Sequence, residues 1–265
     1  MAGLFWLTKA QIERITPYFP LSHGVPRVDD QRVVSGIIHI IHIIHIIRNG
    51  LRWRDAPAEY GPHKTLYNRF VHWSRMGVFN RIFAGLAGRK FQPDRLMIDA
   101  THLKAHRTAA SLLKKGLFPR HIGRTKGGPN SKLHVVSDGH GRPLIMLFSE
   151  GQMSDHKGAA LMLSALPPAR VLIGDKGYDS NRFREALTAQ GIEPCILSRR
   201  DRKKRIPHDR KLYRQRHRIE NMFGKLRDWR RIAMRYDRCA HTFFSAITLA
   251  ATVTFWLGQW VLSLG

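Results

Sequence analysis

Residues Arg170 to Ser180 read RVLIGDKGYDS. The first half is a short apolar run closed by an acid, followed by Gly177 and Asp179, the pattern of a buried strand that runs into a turn. Downstream, Asn181 to Gln190 has the spacing of a helix, Ile192-Glu-Pro-Cys-Ile-Leu reads as another strand, and a long basic helix is expected from Tyr213 to Arg227. Upstream, Arg95-Leu-Met-Ile-Asp-Ala repeats the motif of an apolar strand ending in an acid. Between the two motifs, Lys132-Leu-His-Val-Val-Ser and Pro143-Leu-Ile-Met-Leu-Phe flank a turn at Gly139 to Gly141 and predict an antiparallel hairpin. A helix over Ser154 to Ala165 completes the order β-β-β-α-β-α-β-α, a mixed sheet flanked by helices.

The first 92 residues differ in texture and read as helical. Thr8 with Gln11 makes a capping-box start, and Leu7, Ile12, Ile15 and Phe19 supply apolar spacing. A second helix is expected from Asp29 or Asp30 to Arg48, stopped by Asn49-Gly50. A third follows Gly61-Pro62 and sets Lys64, Thr65, Asn68, Arg69, His72 and Arg75 around Leu66, Phe70 and Trp73. Such a helix set resembles a helix-turn-helix module with one basic face, the alternative being an ordinary solvated face. The boundary is therefore drawn between a helical domain, 1–92, and a sheet domain, 93–265. Within the second helix GIIHIIHIIHIIRNG, Gly36 to Gly50, spaces His39, His42 and His45 three apart. Each step of three advances a helix by about 300°, so the imidazoles drift around it, and no carboxylate or cysteine completes a metal site.

Charge is the strongest global signal. The 265 residues carry 45 Lys and Arg against 19 Asp and Glu, a formal +26, and 43% are hydrophobic. Such a field attracts a polyanion through counterion release, while the apolar share is enough for a packed core. Cys195 and Cys239 have neither the paired spacing of a zinc site nor the density of a disulfide scaffold, which fits a reducing cytoplasm. MAGLFWLTKAQIERI has too short an apolar run for a signal peptide. Thr242 to Gly265 holds no charged residue, yet Ser245, Thr248, Thr252, Thr254 and Gln259 dilute it. It reads as a buried terminal helix, and no membrane partner is expected.

Three acids carry the chemistry. Asp99 and Asp175 each end a predicted strand, where ligands of open αβ sheets gather. Glu220 lies in a helix crowded with cations: Arg199 to Arg238 holds 17 Lys and Arg against 5 Asp and Glu. Tyr213, Arg216, Glu220 and Arg227 share one face of that helix. Three carboxylates suit hard Mg²⁺, with Mn²⁺ as a substitute, and two ions per site would serve an attacking and a leaving oxygen. Taken singly, strand-end aspartates are as readily caps or turn residues. Asp179 and Asp155 read as helix caps. Lys176 beside Asp175, Lys126 in the loop GRTKGGPN, and Lys225 are further candidate phosphate contacts, with a plain surface loop as the alternative for Lys126. Trp229 reads as packing its helix, with base stacking as the alternative.

The segments NGLRWRDAPAEYGPHKTLYNRF and RMGVFNRIF in the first half, and IDATHLKAHR, GRTKGGPNSKLH, LIGDKGYDS and YRQRHRIENMFGKLRDWRRIAMRYDR in the second, resemble bacterial insertion-sequence DDE transposases of the IS-five type nearly end to end. The strand order also matches an RNase H-like domain. The resemblance implies that Asp99, Asp175 and Glu220 are the catalytic, metal-holding triad. The family's signature is Tyr, two residues, Arg, three residues, Glu, six residues, Lys; here Tyr213, Arg216 and Glu220 fit, and the last position is Arg227 with Lys225 two residues before it. It further implies nicking at element ends, attack of the freed 3′ hydroxyl on target DNA, and a homodimer or higher oligomer on double-stranded DNA in the bacterial nucleoid. Lys64, Arg69, Arg75, Lys126, Lys176, Tyr213, Arg216, Lys225 and Arg227 are then the candidate DNA contacts. A magnesium-dependent nuclease, or a non-catalytic DNA-binding remnant of an element, are the competing readings.

Overall fold

A computed structural model describes residues 4–21, 29–42, 52–88, 92–110 and 119–258. In chain order its helices are α1 (Lys9–Ile15), α2 (Asp30–His42), α3 (His63–Arg75), α4 (Val78–Ala87), α5 (Arg107–Ala110), α6 (Asp155–Met162), α7 (Asn181–Ala189), α8 (Arg210–Arg214), α9 (His217–Arg227), α10 (Arg230–Ala233) and α11 (Ala240–Ala251). The strands are β1 (Arg95–Lys104), β2 (Gly123–Thr125), β3 (Gly128–Asp138), β4 (Pro143–Glu150), β5 (Val171–Gly174) and β6 (Glu193–Ile196). Two compact units emerge, one of residues 1–86, 111–120 and 226–265, the other of 87–110 and 121–225.

The first unit is helical. The Thr8 capping box forms as expected: the Thr8 hydroxyl accepts from the Gln11 N–H at 3.3 Å, and the Gln11 side chain accepts from the Thr8 N–H at 2.8 Å. Leu7 and Ile15 are buried by this start. α2 is buried on nearly every face from Val33 to Ile41, with His39 among its buried side chains and packed 5.1 Å from the Tyr60 ring. Burial holds the His39 imidazole below its ordinary pKa. That placement favours a packed histidine over a ligand; His45 and the expected Asn49-Gly50 stop lie outside the described residues. α3 begins after Pro62 as expected and buries Leu66, Phe70 and Trp73 completely, leaving Lys64 and Arg75 exposed.

The units differ from the expected boundary: residues 87–92 group with the sheet, while 111–120 and 226–265 group with the helical unit. Arg235 explains part of this. Wholly buried, it donates to the carbonyls of Arg120, Asp237 and Arg238, while the Ala240 N–H reaches the Pro119 carbonyl at 3.1 Å. α11 packs on α2 and α3, and its Thr248 hydroxyl meets Asn80 at 3.0 Å. Among the described residues no helix is long and apolar enough to cross a membrane. Trp229 is 2% exposed and lies 4.6 Å from the His42 ring, so it packs the core rather than offering a face to a base.

The second unit is a mixed sheet. β1 pairs β3 antiparallel on one edge and β5 parallel on the other; β5 pairs β6 in parallel, and β3 pairs β4 and, at its first residues, the short β2. The order β4-β3-β1-β5-β6 is that of an RNase H-like sheet. Leu96, Ile98, Val136, Leu172 and Ile196 form a core with Ala159 and Met162 of α6 and Phe183 and Leu187 of α7. This layer fixes the register, because a slip of one residue would turn those side chains to the opposite face.

Candidate active site

The sheet register brings the first two acids side by side. The parallel ladder of β1 and β5 ends at Ile98 opposite Gly174, so Asp99 and Asp175 are each the next residue along. Asp99 does not end its strand, contrary to the sequence reading. β1 continues to Lys104 because β3 supplies antiparallel partners as far as Asn130, with Asp99 opposite Val135. What ends at Asp99 is its parallel neighbour, and the opening that results is where Asp175 turns away. Asp175 caps the turn after β5, its Oδ1 accepting the Gly177 N–H at 2.8 Å.

Glu220 comes from α9, and here a second expectation changes. The basic helix is interrupted between Arg214 and His217, so Tyr213 lies on α8 and Glu220 in the first turn of α9. Long-range bonds cause the break. Gln215 accepts from Arg95 at 2.7 Å, and Arg216 donates to Asp99 Oδ2 at 2.8 Å. Neither bond is local, and both outweigh the helix preference of the run. A carboxylate in a first helical turn sits at the positive end of the helix dipole.

Arg216 is the hinge of the arrangement: one guanidinium nitrogen holds Asp99 and the other holds Glu220. The Asp99 side chain is 17% exposed and that of Glu220 is 52% exposed. Burial pushes the Asp99 carboxyl up to about 6; the Ala100 N–H and Arg216 pull it down, and the charges of Asp175 and Glu220 push it up again. Burial opposes the Arg216 charge, but Asp99, Glu220, Tyr213 and Asp175 outweigh it and raise its proton affinity. Burial also raises Tyr213, which packs 5.2 Å from the His208 ring. Among the described residues no group of three or more His, Cys, Asp or Glu side chains is drawn tightly enough to hold an ion as it stands. Asp99 and Glu220 are joined through a guanidinium rather than converged on a point.

The other candidates disperse. Lys176 is exposed beside Asp175, and Lys126 is exposed at the turn of a β2–β3 hairpin rather than in an open loop. Lys225 closes the second unit, while Arg227, Lys64, Arg69 and Arg75 belong to the first, Arg69 lying 5.9 Å over the Trp73 ring. Neither Asp155 nor Asp179 is a cap: Ser154 and Ser180 take those roles. Asp155 pairs with the nearly buried Lys132 at 2.8 Å. Asp179, with no exposed side-chain surface, accepts from Arg184 at 2.8 Å, Arg202 at 2.9 Å and the Arg199 N–H at 2.8 Å. Sequence reading missed Lys132 and His134, which alternate on one face of β3; His134 is fully buried, and burial with the Lys132 charge holds it down to about 4. Lys132 and His134, at period two beside Leu133, Val135 and Val136, were the available signal. The fully buried Tyr178 hydroxyl has no hydrogen-bond partner among the described residues.

Residues 90–255 match the family described as "Transposase DDE domain", and residues 7–83 match "Putative transposase of IS4/5 family". A curated relative in Burkholderia cepacia, named "Putative transposase for insertion sequence element IS402", is 32% identical over 156 residues, covering 52% of this chain and 72% of the relative. Another in Brucella ovis, named for insertion sequence element IS6501, is 31% identical over 128 residues, covering 48% of this chain and 98% of the relative. Among solved structures, the piggyBac transposase synaptic complex with hairpin DNA aligns at 9% identity and TM-score 0.48, covering 94% of this chain and 70% of that one. A chain from a simian T-cell lymphotropic virus intasome assembly aligns at 17% identity and TM-score 0.35, covering 62% of this chain; the present chain spans about half of that one, 49%. The family match over most of the sheet unit and the two relatives make this chain a member of the DDE transposases of insertion sequences.

Proposed function

We propose that Asp99, Asp175 and Glu220 are the catalytic carboxylates of this transposase, and that together they hold two Mg²⁺ ions, or Mn²⁺ in their place. The observation that carries this reading is the pairing of Asp99 and Asp175 at the end of the parallel ladder, with Glu220 tied to Asp99 through Arg216. The donor set fits: hard divalent cations take carboxylate oxygens and retain waters for the remaining positions. Burial holds the Asp99 carboxyl above its ordinary proton affinity despite the Arg216 charge, so a bound cation would favour its ionised form. When bound, the metal supplies charge neutralisation and an activated oxygen nucleophile for in-line phosphoryl transfer. The chain's residues do the rest. Arg216 orients Asp99 and Glu220 toward each other and, being planar and permanently charged, can shift to a phosphate oxygen. Asp175 has its Oδ1 fixed by the Gly177 N–H.

On this reading the enzyme nicks the ends of its element and joins the freed 3′ hydroxyl to target DNA, without a covalent protein intermediate. Lys64, Arg69 and Arg75 of α3, with Arg227, grip double-stranded DNA through the helical unit, and Lys126, Lys176, Tyr213, Arg216 and Lys225 contact it through the sheet unit around the cleavage point. Two element ends require at least a homodimer on DNA, working at the bacterial nucleoid. The test is incubation of the full chain with duplexes carrying its element ends and Mg²⁺. Nicks at the ends, strand transfer into plasmid, and loss of both in Asp175→Asn with DNA binding retained are expected. Nicks without strand transfer would leave a nuclease; no metal-dependent product from folded protein would leave a binding protein only.

A further inference from the structure

Ser198 to Arg205 reads SRRDRKKR, six cations and one acid, between β6 and α8. A run of like charge in water repels itself and stays extended. Here it is fixed at two points. The Ser198 hydroxyl donates to the Ile206 carbonyl at 3.1 Å and accepts the Ile206 N–H at 3.0 Å, closing the base of the loop. Buried Asp179 takes the Arg199 N–H and the Arg202 guanidinium, and Arg184, also on Asp179, donates to the Ile196 carbonyl at 2.9 Å. Asp179 lies four residues beyond Asp175, so its anchorage sets the loop beside the proposed catalytic carboxylates.

Two clefts result. One of about 360 Å³ is lined by His156, Asp175, Lys176, Gly177, Arg199, Arg200 and Asp201. The other, about 450 Å³, is lined by Asn181, Arg202, Lys203 and Lys204. Arg199 is engaged by Asp201 at 2.6 Å and Arg202 by Asp179 and Asn181, which makes those two arginines structural. Lys176, Arg200, Lys203 and Lys204 are exposed and carry no ion pair among the described residues. A merely solvated face would not need two of its cations and a buried carboxylate to hold it in place, nor would it share a cleft with Asp175.

We propose that this loop is a backbone clamp for the DNA strand being cut, with Lys176 and Arg200 on the phosphate next to the one at Asp175 and Lys203 and Lys204 on the phosphates beyond. The clamp rests on the assignment of Asp175 as catalytic. Its free contacts are cationic points, and the Asn181 amide that lines the second cleft is engaged by Arg202, so it positions the strand through phosphates rather than base edges.

The test uses the full chain and an element-end duplex without divalent metal, with affinity measured by fluorescence anisotropy from 50 to 200 mM NaCl. Each phosphate that is no longer neutralised should flatten the log–log salt dependence by ~0.9; with Lys176 still on the first phosphate, Arg200→Ala/Lys203→Ala/Lys204→Ala frees two and should lose about 12-fold less affinity than the parent across that range. Phosphate-ethylation interference should find phosphates beside the nick that block binding of the parent but not of the variant. Parallel salt slopes, or interference positions that are unchanged or far from the nick, would overturn the clamp. Absence of nicking by the parent would instead strike at the catalytic assignment, while the salt slopes would still report whether the loop holds DNA. Because the three side chains are exposed and unpaired, a circular dichroism spectrum matching the parent is expected to accompany either result.

Discussion

Asp99→Asn should make the metal-free protein more stable at neutral pH while destroying its proposed activity. Burial lifts the Asp99 carboxyl from 3.8 to about 6. Between those values the folded chain keeps a proton that the unfolded chain has released, so stability falls as pH rises from about 4 to about 6. Above that window both states are ionised and the full penalty remains, ~3 kcal/mol at ~1.4 kcal/mol per tenfold change in proton affinity. The asparagine keeps the shape and removes the charge, but it also deprives Arg216 of its 2.8 Å carboxylate partner, leaving Glu220 as its remaining ion pair. The net gain is therefore about 1–3 kcal/mol, the smaller figure applying if breaking the ion pair is costly. For a chain of this size each kcal/mol moves Tm by about 2–4 °C, so roughly 2–12 °C is expected at pH 7.5 in EDTA. Calorimetry of parent and variant at pH 7.5 and pH 4 checks both the sign and its origin. At pH 4 the parent's carboxyl is protonated and the difference should close. Equal melting at pH 7.5, or a gap that persists at pH 4, would refute the argument that a buried charge is the cause.

Two other substitutions probe the sheet unit. Asp179→Ala should cost about 3–5 kcal/mol in urea denaturation, because Arg184, whose side chain is 7% exposed, would be left as an unpaired buried cation. Burial raises the Asp179 carboxyl, but the Arg199 N–H and Arg184 hydrogen bonds and the Arg184 and Arg202 charges outweigh it, so its pKa lies below 3.8. Its contribution is thus complete above about pH 4 and lost only as pH falls further, and the gap between parent and variant should narrow only in strong acid. Gly158→Ala and Gly224→Ala make an opposed pair. A Cβ at Gly158 would sit 2.3 Å from Nδ1 of buried His134, a ring also held by Ser149, and should cost roughly 1–3 kcal/mol by the shift it forces. At Gly224 in α9 a Cβ meets nothing within 4 Å, and alanine should stabilise by about 0.5–1 kcal/mol. If both glycines respond alike in urea midpoint, the space around them is not what decides.

What could be read from sequence was what is encoded locally. An apolar run closed by an acid located Asp99 and Asp175, and the periodicity of α3 and the capping box at Thr8 were legible for the same reason. Features set by partners distant in sequence were not. β1 runs five residues past Asp99 because β3 is long enough to pair with it, a property of the ladder rather than of LMIDATH. The interruption at Gln215 and Arg216 was hidden because Arg, Gln and Arg favour a helix, and only Arg95 and Asp99, over a hundred residues away, pull those side chains aside. The apolar tail announced burial but not its address, which depends on α2, α3 and a buried arginine reaching Arg120. Asp179 was mistaken for a cap because its three donors come from Arg184, Arg199 and Arg202, two of them about twenty residues ahead.

The charge design follows from these particulars. A chain of +26 draws DNA to nearly any face, yet at the proposed active site Asp99, Asp175 and Glu220 stand against Arg216 as the side chain that bridges two of them. A phosphate arriving between those three carboxylates meets more negative charge than Arg216 offsets, with Lys176, Arg199 and Arg200 only on the flank beside Asp175, and like charges about 4 Å apart repel by ~4 kcal/mol near a protein surface. Basicity elsewhere can therefore bring the backbone close without bringing the scissile phosphate in. Divalent cations would remove that obstacle, and DNA would in turn supply oxygens to the cations, so each ligand should tighten the other by the same factor. Titrating Mn²⁺ with and without bound duplex, and duplex with and without Mn²⁺, measures that factor from both sides. Asp175→Asn, by lowering the local negative charge, should weaken the coupling while it raises metal-free DNA affinity. A variant that bound DNA no better than its parent in EDTA would mean that the carboxylates do not repel the backbone.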